Sequence, residues 1–228
     1  PKPIVLTGAQ KPIGFDSTDS KTNLADAFRC ASEDLPGVSI VFDGKVIPGT
    51  RAKKTRSKSF QAFSSINYPY LGILRDGVLL RYIRQDCGDA PVFYDALNTK
   101  VALLKLLPGT DRGTADFLLE RNDGLIIESF GVGGLPESGG FYHCVDEALG
   151  AGKTVVITTQ VENEGSDVGV YHVGHALKNK LGVLEAYDMT TEAVAAKLMW
   201  ILGQTKERRE VERLFYTPVA RDMLWPAE

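Results

Sequence analysis

Cysteine, histidine, methionine and tryptophan are scarce in this sequence, with three, three, three and two copies among 228 residues. Cys30, Cys87 and Cys144 are odd in number, far apart and outside any Cys-x-x-Cys arrangement. That pattern argues against a disulfide framework and reads as the reduced thiols of a cytoplasmic protein. No apolar run approaches the roughly 18 residues of a membrane span, and the first residues lack a charged-then-apolar signal pattern. Neither charge sign is in excess: 26 basic against 29 acidic residues leave a net charge of −3, which argues against a general binder of nucleic acid. There is no internal repeat and no low-complexity tract. With 43% hydrophobic and 24% charged residues, the chain reads as an ordinary globular protein of one large domain or two small ones.

The hydrophobic pattern alternates strands with helices. Residues 4–6 form an apolar strand that suits the middle of a parallel sheet. A helix is expected over 23–32, with Leu24, Ala27, Phe28 and Ala31 on one side. Strands at 38–42 and 45–47 flank Asp43-Gly44, and strands at 71–74 and 78–82 flank Arg75-Asp76-Gly77; both are hairpin signals. Residues 84–91 are polar and irregular and serve as a linker between a domain at 1–83 and another at 92–228. The second domain reads as strand 101–106, helix 111–121, strand 124–129, helix 140–150, strand 154–159, helix 172–180, strand 183–187, helix 191–203 and helix 205–214. Strands separated by helices of this length imply parallel βαβ units. Asp188, Thr190 and Thr191 offer oxygens to the start of helix 191–203, Val194, Leu198, Ile201 and Leu202 share one face, and Gly203 offers a left-handed end.

Several motifs carry candidate chemistry. Gly131-Val132-Gly133-Gly134 follows the apolar Leu125-Ile126-Ile127, so it falls in a loop at the carboxyl end of a parallel strand, where open α/β sheets bind ligands. The loop is either a tight turn needing positive φ or a close approach to a small substrate. Pro136 removes the dinucleotide reading. Gly150-Ala151-Gly152-Lys153-Thr154 resembles a phosphate loop only briefly, because Glu147 replaces the first glycine and a strand follows it; it reads as a helix end and turn. Arg51, Lys53, Lys54, Arg56 and Lys58 form the densest basic cluster, without the aromatic interleaving of single-strand binders, and read as a solvated face. His172 and His175 could share a helix face, but no third ligand accompanies them, so no metal site is expected. Glu164 and Asp167 lie in the polar loop after Thr159-Gln160, as substrate contacts or plain surface acids.

The segment Gly-Val-Leu-Glu-Ala-Tyr-Asp-Met-Thr-Thr-Glu-Ala-Val-Ala-Ala-Lys-Leu-Met-Trp-Ile-Leu-Gly at 182–203 resembles the bacterial-type L-asparaginases, more the intracellular than the secreted kind. The likeness continues through Val5 to Gln10, Gly49 to Lys54, Ser65 to Tyr68 and Gly131 to Gly133, and so covers nearly the whole chain. The family also has a Gly-Gly-Thr turn carrying the nucleophilic threonine and a Gly-Thr-Asp-Thr motif carrying a second threonine and an aspartate. Neither occurs in these residues.

The resemblance implies an α/β fold: a larger N-terminal α/β domain, incomplete in this chain, and a smaller flavodoxin-like parallel α/β domain. It implies hydrolysis of L-asparagine to aspartate and ammonia through a threonine ester, without metal or organic cofactor, in a homodimer or homotetramer. Lys54, followed by Thr55, falls on the relay lysine of the family, which must sit near a carboxylate and partly out of water to move a proton. Gly131, Gly133 and Gly134 fall on the substrate loop, with Gly134 replacing the family's asparagine. Glu164 and Asp167 fall on a loop that closes a neighbouring subunit's site. The expectation is an asparaginase chain that needs a missing N-terminal segment. An asparaginase-like subunit of a tRNA-dependent amidotransferase and a non-catalytic binding module are the alternatives.

Overall fold

The computed structural model describes residues 2–84, 90–136, 139–170 and 182–224. The chain divides into two compact units, Pro1–Phe93 and Tyr94–Glu228. The expected linker, 84–91, falls largely outside the described residues, as does the whole of the expected helix 172–180 with His172 and His175.

The first unit contains β1 (Pro3–Leu6), α1 (Ser20–Ala31), β2 (Gly37–Phe42), β3 (Lys45–Pro48), β4 (Ala52–Lys54), β5 (Phe63–Ser65), β6 (Gly72–Arg75) and β7 (Val78–Arg81). Its main sheet runs β1-β2-β3-β6-β7, with β1 parallel to β2 and the remaining pairs antiparallel. β4 and β5 form a separate two-stranded ribbon. Both hairpin signals hold. Asp43 and Gly44 have φ of 51° and 68°, Asp76 and Gly77 of 51° and 72°, the doubly left-handed turn that matches the twist of paired strands.

Among the described residues β1 is the terminal strand of this sheet, with Ile4 and Leu6 exposed, and of its residues only Val5 packs onto the core of Ala27, Cys30, Leu35, Val41, Val46 and Leu71. Helix α1 begins at Ser20 and turns Asn23, Ala27 and Cys30 inward, leaving Leu24 and Phe28 exposed. Polar bonding decides the face. The Asn23 amide donates to Gly8 O at 2.9 Å and to the Asp19 carboxylate at 3.1 Å, and its oxygen accepts the Asp43 N–H at 3.0 Å. A buried amide with three partners outranks an exposed phenylalanine in fixing the helix rotation.

The second unit contains β8 (Val101–Lys105), α2 (Arg112–Arg121), β9 (Gly124–Ser129), α3 (Phe141–Gly150), β10 (Thr154–Thr159), β11 (Leu184–Glu185), α4 (Thr191–Gln204) and α5 (Arg208–Tyr216). The sheet runs β11-β10-β9-β8 and every pair is parallel. Leu125, Ile127, Val155 and Ile157 pack with Ala115 and Leu119 of α2 and Phe141, Cys144 and Val145 of α3. Ile126 and Val156 pack with Val194, Leu198, Ile201 and Leu202 of α4 and Val211 and Phe215 of α5. Helices cover both faces, which is why β9 is an unbroken buried run.

Local chemistry explains the helix ends. Asp111 and Thr190 accept the Thr114 and Ala193 N–H groups at 3.1 Å, capping α2 and α4. Gly152, with φ of 77°, and the Lys153 N–H donated to Ala148 O close α3, as the turn reading of 150–154 requires. Gly203 differs from expectation: it lies inside α4, which ends a residue later. Its role is close packing, since an added Cβ would stand 2.5 Å from Ala96 O.

Candidate ligand loops and the Lys54 segment

In the second unit the loops after β9 and β10 meet at the carboxyl end of the sheet. The Ser129 hydroxyl donates to Thr158 O at 2.8 Å, and the Gln160 N–H returns to Ser129 O at 3.0 Å. The Gln160 side-chain amide donates to Leu106 O at 2.6 Å and Glu128 O at 3.0 Å, tying β8 to the same rim. Beyond the strands, the Thr159 hydroxyl donates a short bond to Gly131 O and accepts the Val161 N–H at 3.0 Å. The Asp167 N–H donates to Val132 O at 2.7 Å. The glycine loop and the polar loop are therefore one bonded assembly.

Glycine is required at Gly133, which has φ of 118° and whose Cβ would lie 3.1 Å from Val168 Cγ2. Gly131 and Gly134, at 54° and 126°, face open space, so the backbone conformation, and no neighbouring atom, favours glycine there. Gly165 lies against the backbone of Tyr187 with no room for a side chain, and the Ser166 N–H donates to Tyr187 O at 2.9 Å. These inward bonds leave Glu164 and Asp167 exposed on the outer rim, Glu164 with φ of 76°. Among the described residues the buried Ser166 hydroxyl finds no hydrogen-bond partner beside the glycine loop. Around the two loops Leu107, Phe130, Val132 and Val161 are exposed.

Lys54, in the first unit, ends β4 opposite Phe63 of β5. It is exposed, and among the described residues its ammonium forms no ion pair, in contrast to the desolvated, carboxylate-paired lysine the resemblance implies. Arg51 leaves the expected basic face altogether. It is fully buried with its guanidinium 5.7 Å from the Tyr68 ring centroid, a cation held by an aromatic face.

Three candidate threonine nucleophiles are engaged in structural bonds. Thr7 Oγ1 donates to Val41 O at 2.7 Å, Thr55 shares a bond with Ser64 Oγ at 2.9 Å, and Thr159 is bonded as above. The one Gly-Thr-Asp run, at 109–111, caps α2: the Thr110 hydroxyl accepts the Leu107 N–H and Asp111 accepts that of Thr114. Sequence reasoning missed the bonds of Thr159 and the part played by Glu185, whose Oε1 accepts the Val168 N–H at 2.7 Å. The available signal was a lone carboxylate in the run Leu184-Glu185-Ala186.

Two family models match the chain: Asparaginase, N-terminal, over residues 1–86, and Glutaminase/Asparaginase C-terminal domain, over residues 100–215. The chain belongs to the asparaginase family. An L-asparaginase of Thermococcus kodakarensis is 34% identical over 224 residues, 98% of this chain and 68% of that protein. The solved structure of the thermostable L-asparaginase from that organism superposes with a TM-score of 0.93 at 33% identity, over 98% of this chain and 68% of the other. A glutamyl-tRNA(Gln) amidotransferase subunit from Pyrococcus furiosus is 33% identical over 235 residues, 97% of this chain and 53% of that protein. A probable cytoplasmic L-asparaginase from Campylobacter jejuni has a TM-score of 0.80 at 25% identity, covering 94% of this chain and 69% of its own. The chain thus spans about two thirds of the asparaginases and about half of the amidotransferase protein.

Proposed function

We propose that the chain is the substrate-loop and relay-lysine part of a cytoplasmic L-asparaginase, which hydrolyses the side-chain amide of L-asparagine, with L-glutamine as a lesser substrate. What carries this reading is the bonded pair of loops at the carboxyl end of the parallel sheet, in a chain 34% identical to an L-asparaginase over nearly all its length. A threonine hydroxyl attacks the amide carbon, ammonia leaves, and water then cleaves the ester to release aspartate. Gly131, Gly133 and Gly134 let the backbone approach the substrate, and Glu164 and Asp167 face its ammonium group. Lys54 serves the proton relay once a carboxylate stands beside it. The nucleophile comes from an additional N-terminal segment, since Thr7, Thr55 and Thr159 each hold a structural bond. No metal or organic cofactor takes part. The exposed Leu107, Phe130, Val132 and Val161 around the loops suit burial against a second copy in a homodimer or homotetramer.

Ammonia release from L-asparagine tests the reading. The 228-residue chain, checked by mass, is expected to be inactive alone and to gain activity when an asparaginase N-terminal segment is supplied. Normal turnover by the chain alone would refute the need for that segment. The amidotransferase reading is kept because of the 33% identical relative from Pyrococcus furiosus, and it predicts ammonia release that depends on a tRNA-binding partner. A non-catalytic module would bind L-asparagine without hydrolysing it in any assembly.

A further inference from the structure

We infer that Glu185 is a positioning residue that holds the 162–168 loop in the shape presenting Asp167, an inference that rests on the reading of Asp167 as a substrate contact. Glu185 lies in β11 with 2% of its surface exposed, in a run that is otherwise apolar. Burying a carboxylate is costly unless its oxygens are bonded. Oε1 takes the N–H of Val168, the first residue of a single 3-10 turn at Val168–Val170, at 2.7 Å.

Three successive N–H groups thereby point to three different anchors. That of Ser166 goes to Tyr187 O, that of Asp167 to Val132 O in the glycine loop, and that of Val168 to Glu185. The backbone on both sides of Asp167 is fixed before any ligand arrives, so little ordering remains to be done on binding. The first two anchors are backbone carbonyls, which no side-chain substitution removes. Glu185 is the anchor that can be deleted. Its own N–H donates to Tyr216 Oη at 3.0 Å, and the Tyr216 ring lies 6.1 Å from that of Tyr187, so the end of α5 backs the same strand.

Hydrogen exchange of the full chain, read by mass spectrometry, tests the inference with Glu185→Leu and Glu185→Gln. The leucine variant is expected to speed exchange at 166–168 by about tenfold, while amides of β9 and α4 stay within about twofold. The glutamine variant keeps an acceptor oxygen and should restore the loop to within about threefold of the parent. Unchanged exchange at 166–168 in the leucine variant overturns the inference. So does a rise spread evenly over the second unit, or a glutamine variant as fast as the leucine one. In a complemented protein that hydrolyses L-asparagine, Glu185→Leu should raise KM about tenfold with kcat within about threefold. An unchanged KM would overturn the role in substrate binding. If nothing is hydrolysed, the functional reading fails and the exchange result still decides whether Glu185 holds the loop.

Discussion

Lys197 of α4 and Asp222 of the C-terminal segment form an ion pair at 2.8 Å, with side chains only 4% and 3% exposed. The Lys197 ammonium also donates to Thr217 O at 2.9 Å and lies 5.7 Å from the Phe215 ring centroid. One buried cation thus pins the segment beyond α5 onto α4, and the Asp188 carboxylate holds it again by accepting the Leu224 N–H at 3.0 Å. Removing one partner strands a buried charge, which costs about 3–5 kcal/mol, whereas apolar replacement of both is often close to neutral. Lys197→Ala and Asp222→Ala should each lower the urea midpoint strongly, and the pair Lys197→Met with Asp222→Leu should recover most of the loss. A double variant as unstable as the sum of the single ones would show that the two residues act independently.

Acid sensitivity is expected at Asp19. Burial works to raise its pKa, but bonds from the N–H groups of Gln10, Lys11 and Asp19 itself and from the Asn23 amide outweigh it, holding the carboxyl below its ordinary 3.8. The folded state therefore favours the charged form. The stabilisation is present above the unfolded value and is lost as pH falls through the lower folded value. Asp19→Asn should cost about 2 kcal/mol near neutral pH, the scale of hydrogen bonds to a charged group. The gap to the parent should close below pH 3.8 in unfolding curves measured across the acid range. A gap independent of pH would rule out the charge as its source.

Two glycines that look alike in sequence should fail differently. Gly203→Ala gains helix propensity of about 1 kcal/mol but places a methyl 2.5 Å from Ala96 O, backbone that cannot swing away. Net destabilisation of about 1–3 kcal/mol is expected, with the candidate site unaffected. Gly133→Ala forces φ of 118° on an alanine and presses on Val168, so L-asparagine binding should be lost with a smaller change in melting temperature. Calorimetric titration and thermal melts separate the two effects. Equal effects of both variants on binding would remove the site assignment of Gly133.

Much of this was legible in the sequence where one local rule sufficed. Asp43-Gly44 and Asp76-Gly77 specify their turns, Thr190 its cap, and the apolar runs of β9 and β10 a sheet covered on both faces. Local rules failed where a distant partner decided the outcome. The Asn23 bonds rotate α1 away from Leu24 and Phe28, and Ala96 gives Gly203 its purpose. Arg51 counts as surface charge in a linear reading, yet the fold encloses it beside Tyr68. The candidate loops were recognisable by their glycines and acids. Their joining was not, because Thr159 to Gly131, Asp167 to Val132 and Glu185 to Val168 are contacts between segments 17 to 35 residues apart.

A chemical role for Lys54 belongs to the proposed reading and is open to test. Its ammonium is exposed at the end of β4, without an ion pair among the described residues, so on that reading its place in the relay waits on a carboxylate brought by a further segment. In protein complemented for asparagine hydrolysis, Lys54→Ala should lower kcat by about 10²–10⁴-fold, the usual share of a positioned proton-transfer group. Lys54→Arg should fare little better, because a guanidinium keeps its charge and does not pass its proton on. Lys58→Ala, four residues along the same exposed stretch, should leave the rate unchanged and so controls for loss of surface charge. Circular dichroism of each variant separates lost chemistry from lost fold. An unmodified rate in folded Lys54→Ala would remove the lysine from the mechanism and the alignment of the Gly49 to Lys54 segment with it.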